Sequence, residues 1–473
     1  MYRLHGNDAS FLYQETPTAP MHTIKVYIMT MPEGSTIDWE GIKRDTESVL
    51  HTMPMLRQRP VFVPFGLHHP VMIEAPDFDL EYHMCRAALP APGGMRELEE
   101  MVAQIASQPL DVRHPLWEMW LIEGLADGRF ASVHKIHHAL ADGMATVGYM
   151  NKVWSSETFD DRAKPPDWIP EAIPSRRRLI WHALVDHAKQ DVRNLPSFIK
   201  TLSHSFRGLH AHSKLHPSPI MKGMSGDLPR CHWNYALSPK RNFATTQLNL
   251  HDVRQLKNRI GGTINDVVLG LATASLRNFL QKHREQCDKP LIASIPVAAD
   301  EGDAKRDHGN RISTFSTLLH VGIEDPLERY RAVIESTKLG KAELDIMGKN
   351  TYGLLMHYTP PALLQWISQR KYRRRQANNA DYLPPANLSI SNVPGPKEVL
   401  RARDNAVTDL YSIGPLVDGI GLNITVWSYA GKLNFSVMGC KKALPNIFEI
   451  TDGIEPALRE LQQAADSIEA DHG

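Results

Sequence analysis

The chain has 473 residues, of which 42% are hydrophobic and 22% charged, as in ordinary globular proteins and unlike disordered or fibrous ones. Lysine plus arginine number 53 and aspartate plus glutamate also number 53, so a surface that neutralises many nucleic-acid phosphates is not expected. A chain of this length suits two subdomains rather than one simple core.

The cysteines and the N-terminus bear on the compartment. The four cysteines lie far apart and form no CxxC pair, which argues against a zinc ribbon or a disulfide scaffold and favours a reducing cytosol. Residues 1–8 lack the apolar core of a signal peptide, and no run of about 18 apolar residues occurs, so we expect no transmembrane helix. The expected location is therefore cytoplasmic, and any contact with a membrane or a lipid inclusion is made from the side.

Composition divides the chain into three regions. Residues 1–154 alternate strand-like and helical runs, residues 155–239 form a connector rich in Pro, Arg, His and Ser, and residues 240–473 form a second strand-rich α/β region. In the first region, residues 23–29 predict a strand and residues 96–106 predict an amphipathic helix.

Two adjacent histidines end a predicted strand at residues 130–138. Side chains alternate along a strand, so His138 shares a face with Ile136 and His134, whereas His137 points the other way. Asp142 follows at a position typical of a helix N-cap, and Gly143 permits a tight turn. The pattern predicts a strand, a turn and then a helix, with the histidine pair at the turn.

General base catalysis suits this segment, because a neutral imidazole can take a proton from a hydroxyl near neutral pH. Asp142 either fixes the imidazole tautomer or, as a helix cap, contributes geometry. A metal site needs about three or four converging ligands, whereas adjacent strand histidines diverge and no HExxH or cysteine cluster supplies partners. Serine nucleophile catalysis lacks a Gly-x-Ser-x-Gly elbow. Core histidines are a weaker interpretation of an adjacent pair before Asp-Gly.

Two basic clusters adjoin apolar stretches in the rest of the chain. In the connector, Arg176, Arg177 and Arg178 lie beside apolar residues that keep helical spacing from Leu179 to Leu195. Residues 370–375, five of them basic, follow the apolar stretch 361–367. Each segment is either a surface helix packed on a domain or a helix that lies on a lipid surface with its arginines near anionic headgroups.

The second α/β region contains three further patterns. Thr263 and Asp266 have the spacing of a capping box at a helix start, which makes Asp266 structural, while Asn265 lies where first-turn donors can stabilise negative charge on a carbonyl. Residues 391–396 predict a rigid Pro-Gly turn after a strand, and residues 422–437 predict a β-hairpin.

Several of these segments together resemble one family. His137 to Gly143 match the HHxxxDG signature of the bacterial wax ester synthase/acyl-CoA:diacylglycerol acyltransferases, which belong with the chloramphenicol acetyltransferase-like enzymes. Residues 115–118 resemble the family's PLWE segment, residues 265–269 its NDVVL segment, and residues 391–396 its SNVPGP segment; residues 4–22 are similar too. One departure is Asp300, which stands where relatives often carry an arginine.

The resemblance implies an α/β fold of two chloramphenicol acetyltransferase-like subdomains with mixed sheets and an active site at their interface. Residues 1–154 and 240–473 would be the subdomains and 155–239 a helical connector. His138 would be the base, with His137 supportive, Asp142 structural and Asn265 in the site.

The implied reaction moves a long acyl chain from acyl-CoA directly to a fatty alcohol or a diacylglycerol and releases free CoA. No acyl-enzyme, metal or bound cofactor is expected. Two alternatives stay open at this point. One is a condensation-type or small-acceptor acyltransferase, and the other is a non-catalytic protein that binds a lipid surface.

Overall fold

The computed structural model describes residues 1–32, 34–142, 150, 172–188, 192–285, 288–299, 309–377, 384–402 and 404–472. Its strands are β1 (Tyr2–Arg3), β2 (His22–Thr30), β3 (Gln58–Val61), β4 (Val71–Glu74), β5 (Met84–Ala88), β6 (Trp117–Glu123), β7 (Phe130–His137), β8 (Arg241–Asn249), β9 (Leu291–Ala298), β10 (Ile312–Leu319), β11 (Leu388–Pro394), β12 (Arg401–Ala402), β13 (Asn405–Ile413), β14 (Leu422–Tyr429) and β15 (Lys432–Cys440).

The helices are α1 (Gly6–Gln14), α2 (Trp39–Leu50), α3 (Leu80–His83), α4 (Met95–Ala106), α5 (Arg176–Asp186), α6 (Val192–Ser213), α7 (Pro219–Ser225), α8 (Leu250–Ile260), α9 (Ile264–Lys282), α10 (Pro326–Met347), α11 (Thr351–Tyr358), α12 (Pro361–Gln376), α13 (Phe448–Asp452) and α14 (Ile454–His472). Two short 3₁₀ helices span Pro54–Arg57 and Pro64–Gly66. Within the described part of the chain, no helix is long and apolar enough to span a bilayer.

Two six-stranded sheets form the frame. The first has the order β12-β13-β2-β7-β6-β5, the second has the order β10-β9-β11-β14-β15-β8, and a small third sheet has the order β1-β4-β3. β5 runs parallel to β6, and β11 runs parallel to β9 and β14, while the other pairs are antiparallel. The predicted α/β fold with mixed sheets is confirmed.

One strand pair crosses between the halves of the chain. β12 and β13 come from residues 401–413, yet β13 pairs with β2 in the first sheet, with Ser412 opposite Lys25 and Ile413 opposite Ile24. Division of the sequence into consecutive segments did not predict this exchange. Because β13 also lies beside β14 and β15, it ties the two sheets together where their inner faces meet.

The space between the sheets is filled by large side chains. Tyr27 and Ile136 of the first sheet share one buried cluster with Trp427 and Tyr429 of the second. Each such residue contributes ~1.5–3 kcal/mol by burial of apolar surface. Helix α1 closes this cluster from one side, and it approaches α11 so closely that a Cβ at Gly6 would lie 2.3 Å from the His357 backbone. Glycine is therefore required at that position.

Most predicted local elements are confirmed. The strand at 23–29, the helix at 96–106, the strand at 130–138 and the hairpin at 422–437 correspond to β2, α4, β7 and the β14–β15 pair. The hairpin turns at Ala430 and Gly431, both with positive φ, which suits a two-residue turn between twisted strands.

The apolar stripe predicted from Leu179 to Leu195 is only partly packed. Helix α5 buries Leu179 and Ala183, but Leu184 is 53% exposed and Leu195, on α6, is 42% exposed. Residues 189–191, which lie between the two helices, are outside the described part of the chain.

Candidate active site

His137 has both ring nitrogens engaged. Its ring is fully buried, its Nδ1 accepts the Ala139 main-chain N–H at 3.0 Å, and its Nε2 lies 3.2 Å from Glu15 Oε2. An Nδ1 that accepts cannot carry the proton of a neutral ring, so Nε2 carries it and donates to Glu15. Both nitrogens are therefore used to hold the turn.

His138 is held differently. Its main-chain N–H donates to the Met21 carbonyl at 2.8 Å, which extends the pairing of β2 and β7 by one residue. The ring is half-buried and stacks on Phe11 with centroids 4.2 Å apart and planes 12° from parallel. Its Nδ1 lies 3.0 Å from Oδ1 of Asn310, a residue 172 positions later in the chain.

The contacts of Asn310 determine which nitrogen of His138 carries the proton. Asn310 Nδ2 donates to Asp8 Oδ1 at 2.8 Å and to the His138 carbonyl at 2.7 Å, and both partners are acceptors. The amide nitrogen must face them, so its oxygen faces His138. His138 therefore carries its proton on Nδ1, and the lone pair on Nε2 accepts no hydrogen bond from the residues that the structure describes.

Burial lowers the pKa of His138 to about 4, with a smaller lowering by the Lys25 charge, while the Asp142 carboxylate and the Asn310 hydrogen bond oppose the shift. The ring is therefore neutral at physiological pH. Burial also raises the pKa of Asp8 to about 6, against the hydrogen bonds that it accepts from Asn310. A neutral ring with one oriented lone pair has the form that a general base requires.

Asp142 joins the histidine turn to the second half of the chain. Its Oδ2 accepts the Arg311 main-chain N–H at 2.9 Å, and Gly309 donates its N–H to the Leu140 carbonyl at 2.6 Å. These two hydrogen bonds hold residues 309–311 beside the histidine turn, and Asn310 therefore lies against His138. Gly143 and the helix start predicted after Asp142 lie outside the described residues, so the capping interpretation of Asp142 stays a prediction.

Helix α1 contributes more to the site than the sequence indicated. Asn7 donates to the Asn310 carbonyl at 3.1 Å, Asp8 accepts from Asn310, Phe11 stacks on His138, and Glu15, just after the helix, holds His137. These residues recur every three or four positions, which places them on one helix face. That helical spacing is the signal in the sequence that marks this face.

The capping box at the start of α9 is confirmed. Asp266 Oδ2 accepts from the Thr263 N–H at 2.8 Å and from its hydroxyl at 2.7 Å, and Thr263 Oγ1 accepts the Asp266 N–H at 3.2 Å. Asn265 lies half-buried in the first turn, and its side chain makes no hydrogen bond among the residues described. His138 and Asp142 thus both contact the segment 309–311, and the described part of the chain shows no contact from Asn265 to His137, His138 or Asp142.

A lysine that the sequence did not single out lies between the sheets. Lys25 on β2 is 3% exposed, and its Nζ donates to Thr23 Oγ1 at 3.0 Å and to Ser412 Oγ at 2.7 Å. The Trp427 ring lies beside the ammonium, with its centroid 4.9 Å away. Burial lowers the pKa of Lys25 to about 7, and the Asp142 carboxylate opposes that shift.

The chain matches two family models over most of its length. A model described as the wax ester synthase/diacylglycerol acyltransferase catalytic domain matches residues 4–268, and one described as the WS/DGAT C-terminal domain matches residues 308–462. A Mycobacterium tuberculosis H37Rv protein provisionally named a diacylglycerol O-acyltransferase is 37% identical over 98% of this chain and 97% of its own. A second protein of that strain with the same kind of name is 30% identical over 98% of each chain.

Solved structures show the same architecture. The wax ester synthase/diacylglycerol acyltransferase from Marinobacter aquaeolei VT8 superposes with a TM-score of 0.67 at 26% identity, over 98% of this chain and 100% of that one. The first condensation domain of the calcium-dependent antibiotic synthetase superposes with a TM-score of 0.59 at 14% identity, over 98% and 96% of the two chains. At that identity the second match concerns the fold alone.

Proposed function

The chain belongs to the wax ester synthase/diacylglycerol acyltransferase family and is thus an acyl-CoA-dependent acyltransferase, and we propose that it moves a long-chain acyl group to the hydroxyl of a fatty alcohol or a diacylglycerol. The observation that carries the proposed mechanism is the orientation of His138. Asn310 holds its proton on Nδ1 and so leaves Nε2 to act on the acceptor hydroxyl.

In the proposed reaction the acceptor hydroxyl gives its proton to His138 Nε2 while its oxygen attacks the thioester carbonyl carbon. The tetrahedral intermediate then breaks its carbon–sulfur bond, and the thiolate takes the proton back from the imidazolium. The products are an ester and free CoA, and neither an acyl-enzyme nor a metal takes part. Proton transfer of this kind contributes ~10²–10⁴ in rate.

The other residues have supporting roles in this proposal. His137 maintains the turn through Ala139 and Glu15, and Asp142 holds residues 309–311 against it while its charge favours the imidazolium that forms. Asn265 stays a candidate donor to the thioester carbonyl, since its side-chain amide makes no hydrogen bond among the residues described.

A product assay tests the proposal. Purified enzyme receives palmitoyl-CoA together with hexadecanol and dipalmitoylglycerol, and both released thiol and ester products are measured. We expect CoA release that depends on an acceptor and is lost in a folded His138→Ala variant. A covalent acyl-protein adduct trapped before acceptor addition would contradict direct transfer, and absence of CoA release with either acceptor would favour a non-catalytic lipid-binding role.

We also propose that one surface of the protein contacts lipid from the side. Helix α5, the turn Pro64–Gly66 and helix α12 are neighbours, because His187 donates to the Leu67 carbonyl at 2.7 Å and the Gly66 backbone lies against Ala362. We define their exposed aromatic and aliphatic side chains, together with the adjacent arginines, as the apolar-basic face. Its exposed large residues are Phe65 (78%), Trp181 (66%), Trp366 (56%), Leu184 (53%) and Leu363 (44%).

The two predicted basic clusters contribute unequally to the apolar-basic face. Arg176, Arg177 and Arg178 are exposed at the start of α5, and Arg370 lies over the Trp366 ring at 5.2 Å. Arg375, by contrast, is 6% exposed and pairs with Asp418 at 3.5 Å, so it belongs to the interior rather than to a lipid-facing cluster. Aromatic rings beside arginines suit the boundary between headgroups and acyl chains.

A further inference from the structure

The position of Lys25 is set by strand register. Lys25 lies opposite His134 on β7, Thr23 lies opposite Ile136, and Met21 pairs with His138. The hydrogen bond from Lys25 Nζ to Thr23 Oγ1 directs the side chain two residues back along β2. That is the direction of Met21, the residue that pairs with His138. The ammonium is then about two residues, or ~7 Å along the strand, from the level of the base. The positive charge of Lys25 adds only a small lowering of the His138 pKa to the larger one that burial causes.

The surroundings of the ammonium leave one of its donors without an oxygen acceptor. In its protonated form Lys25 has three N–H groups, and the hydroxyls of Thr23 and Ser412 accept two of them. Trp427 offers a ring face but no acceptor atom. Among the described residues, no other oxygen or nitrogen accepts from Nζ. A buried donor without an acceptor is costly, and it favours a ligand that brings one.

We propose that Lys25 determines acceptor specificity, by donating a hydrogen bond to an ester carbonyl of an acylglycerol whose free hydroxyl faces His138. This inference rests on the proposed acyl transfer and goes beyond it by assigning the acceptor class. A diacylglycerol carries ester carbonyls within a few bonds of its hydroxyl, whereas the hydroxyl of a fatty alcohol is followed only by methylenes. Bound at the same place, a fatty alcohol would leave the third N–H unpaired.

The size of the preference follows from the chemistry of that contact. A hydrogen bond to a charged donor in a buried site discriminates by ~10- to 100-fold against a ligand that lacks the acceptor. Lys25 needs no contact with the thioester for this role, and it acts on the second substrate alone. A residue that worked only by tuning His138 would instead change turnover of both acceptors by the same factor.

The test is a competition between dipalmitoylglycerol and hexadecanol with palmitoyl-CoA, in which triacylglycerol and wax ester are quantified. For Lys25→Met, which keeps the length and removes the charge, we expect triacylglycerol formation to fall ~10- to 100-fold relative to wax ester. Lys135→Met is the matched control, because Lys135 is also buried but pairs with Glu118 on the opposite face of the sheet. The product ratio of Lys135→Met should equal that of the unaltered enzyme.

Thr23→Val supplies a second variant that removes one of the hydroxyls holding the ammonium and conserves volume. If Lys25→Met does not fold, a lowered triacylglycerol-to-wax-ester ratio in Thr23→Val supports the proposal and an unchanged ratio overturns it. In a folded Lys25→Met, an unchanged ratio or an equal loss of both products overturns the proposal. An unaltered enzyme that released no CoA with either acceptor would refute the proposed acyl transfer itself, and the two failures are thereby distinguished.

Discussion

The side-chain amide of Asn310 contacts His138 at two atoms. Its nitrogen donates to the His138 carbonyl at 2.7 Å, and its oxygen accepts from the ring Nδ1 at 3.0 Å. One amide thus fixes both the backbone and the tautomer of the same residue. Asp8 in turn accepts from the main-chain N–H and the side chain of Asn310, at 2.6 and 2.8 Å. The chain Asp8–Asn310–His138 orients the base across elements that are far apart in sequence.

Replacement of Asn310 by alanine should therefore impair catalysis more than folding. Without the amide, Nδ1 loses its acceptor, and the proton can move to Nε2, where it blocks the base. We expect kcat to fall ~10- to 100-fold, the value of a lost hydrogen bond to a group that becomes charged. Asn434→Ala is the control, because Asn434 is also buried and donates to the Leu410 carbonyl at 2.8 Å away from the base. Equal losses of kcat in both variants would contradict the tautomer argument.

Substitution of His138 should lower turnover, whereas substitution of His137 should lower stability. His138→Ala should lose ~10²–10⁴ in turnover with little change in melting temperature, because the ring is half-buried and its Nε2 makes no hydrogen bond among the described residues. His137→Ala should instead lower the free energy of unfolding by ~1–3 kcal/mol, because it leaves the Ala139 N–H and Glu15 without their partner. Turnover assays combined with thermal melts check this. A His137 variant that is fully stable but inactive would mean that the roles are wrongly divided.

Much of the site was accessible from local sequence patterns. Strand periodicity predicted β2, β7 and the β14–β15 hairpin, and spacing predicted the Thr263–Asp266 capping box. These features depend on residues close in sequence, so the chemistry that forms them is visible in a short window.

The missed features depend on long-range contacts. Asn310 lies 172 residues after His138, and no motif marked it; Lys25 occupies an ordinary strand position, and only β13, brought from the second half of the chain, gives its ammonium the Ser412 hydroxyl. The strand exchange itself depends on which strand edges are available after folding. Helix α1 is the exception, because its contacting residues recur at helical spacing and could have been predicted from the sequence to share one face.

The pH dependence should carry the signature of a base with a lowered pKa. An ordinary histidine, with a pKa of 6.5, would lose half of its base form at that pH, whereas burial lowers the pKa of His138 to about 4. With hexadecanol as acceptor, kcat/KM should therefore show no inflection at 6.5 from His138 and should fall steeply only near pH 4. The stability contributed by the neutral ring is lost as pH falls from 6.5 toward 4, because the unfolded chain binds the proton first. An inflection near 6 that vanishes in Asp8→Asn would belong to Asp8.

Asp8→Asn should raise the free energy of unfolding at pH 7.5 and lower the turnover of the enzyme. Burial raises the Asp8 pKa from 3.8 to about 6, so stability falls as pH rises from 3.8 through 6, because the unfolded state releases the proton first. Asparagine can still accept from Asn310 without a buried charge, and we expect a gain of ~1–3 kcal/mol in the free energy of unfolding. The gain should vanish near pH 3.8, where Asp8 is protonated in the folded state. Denaturant titrations at both pH values check this, and a gain of equal size at both would contradict the ionisation argument.

The arginines and the tryptophans of the apolar-basic face should make independent contributions to the binding of anionic bilayers. Arg176, Arg177 and Arg178 are exposed, and each contributes ~1 kcal/mol near an anionic surface, so their replacement by glutamine should weaken flotation with phosphatidylglycerol vesicles at least ~10-fold and remove most of its salt dependence. Trp181→Ser plus Trp366→Ser should weaken binding to neutral phosphatidylcholine vesicles as well, because the indoles contribute buried apolar area rather than charge.

Tyr235→Ser is a matched control for these variants. Tyr235 is 52% exposed and has Arg230 over its ring at 5.3 Å, just as Trp366 has Arg370 at 5.2 Å, but it belongs to none of the three elements that define the apolar-basic face. An exposed aromatic–arginine pair that is not part of these elements should not affect flotation. If Tyr235→Ser weakened binding as much as Trp366→Ser, the protein would adhere without a defined face. If neither set of substitutions reduced flotation, lipid would be reached through a surface other than α5, the turn Pro64–Gly66 and α12.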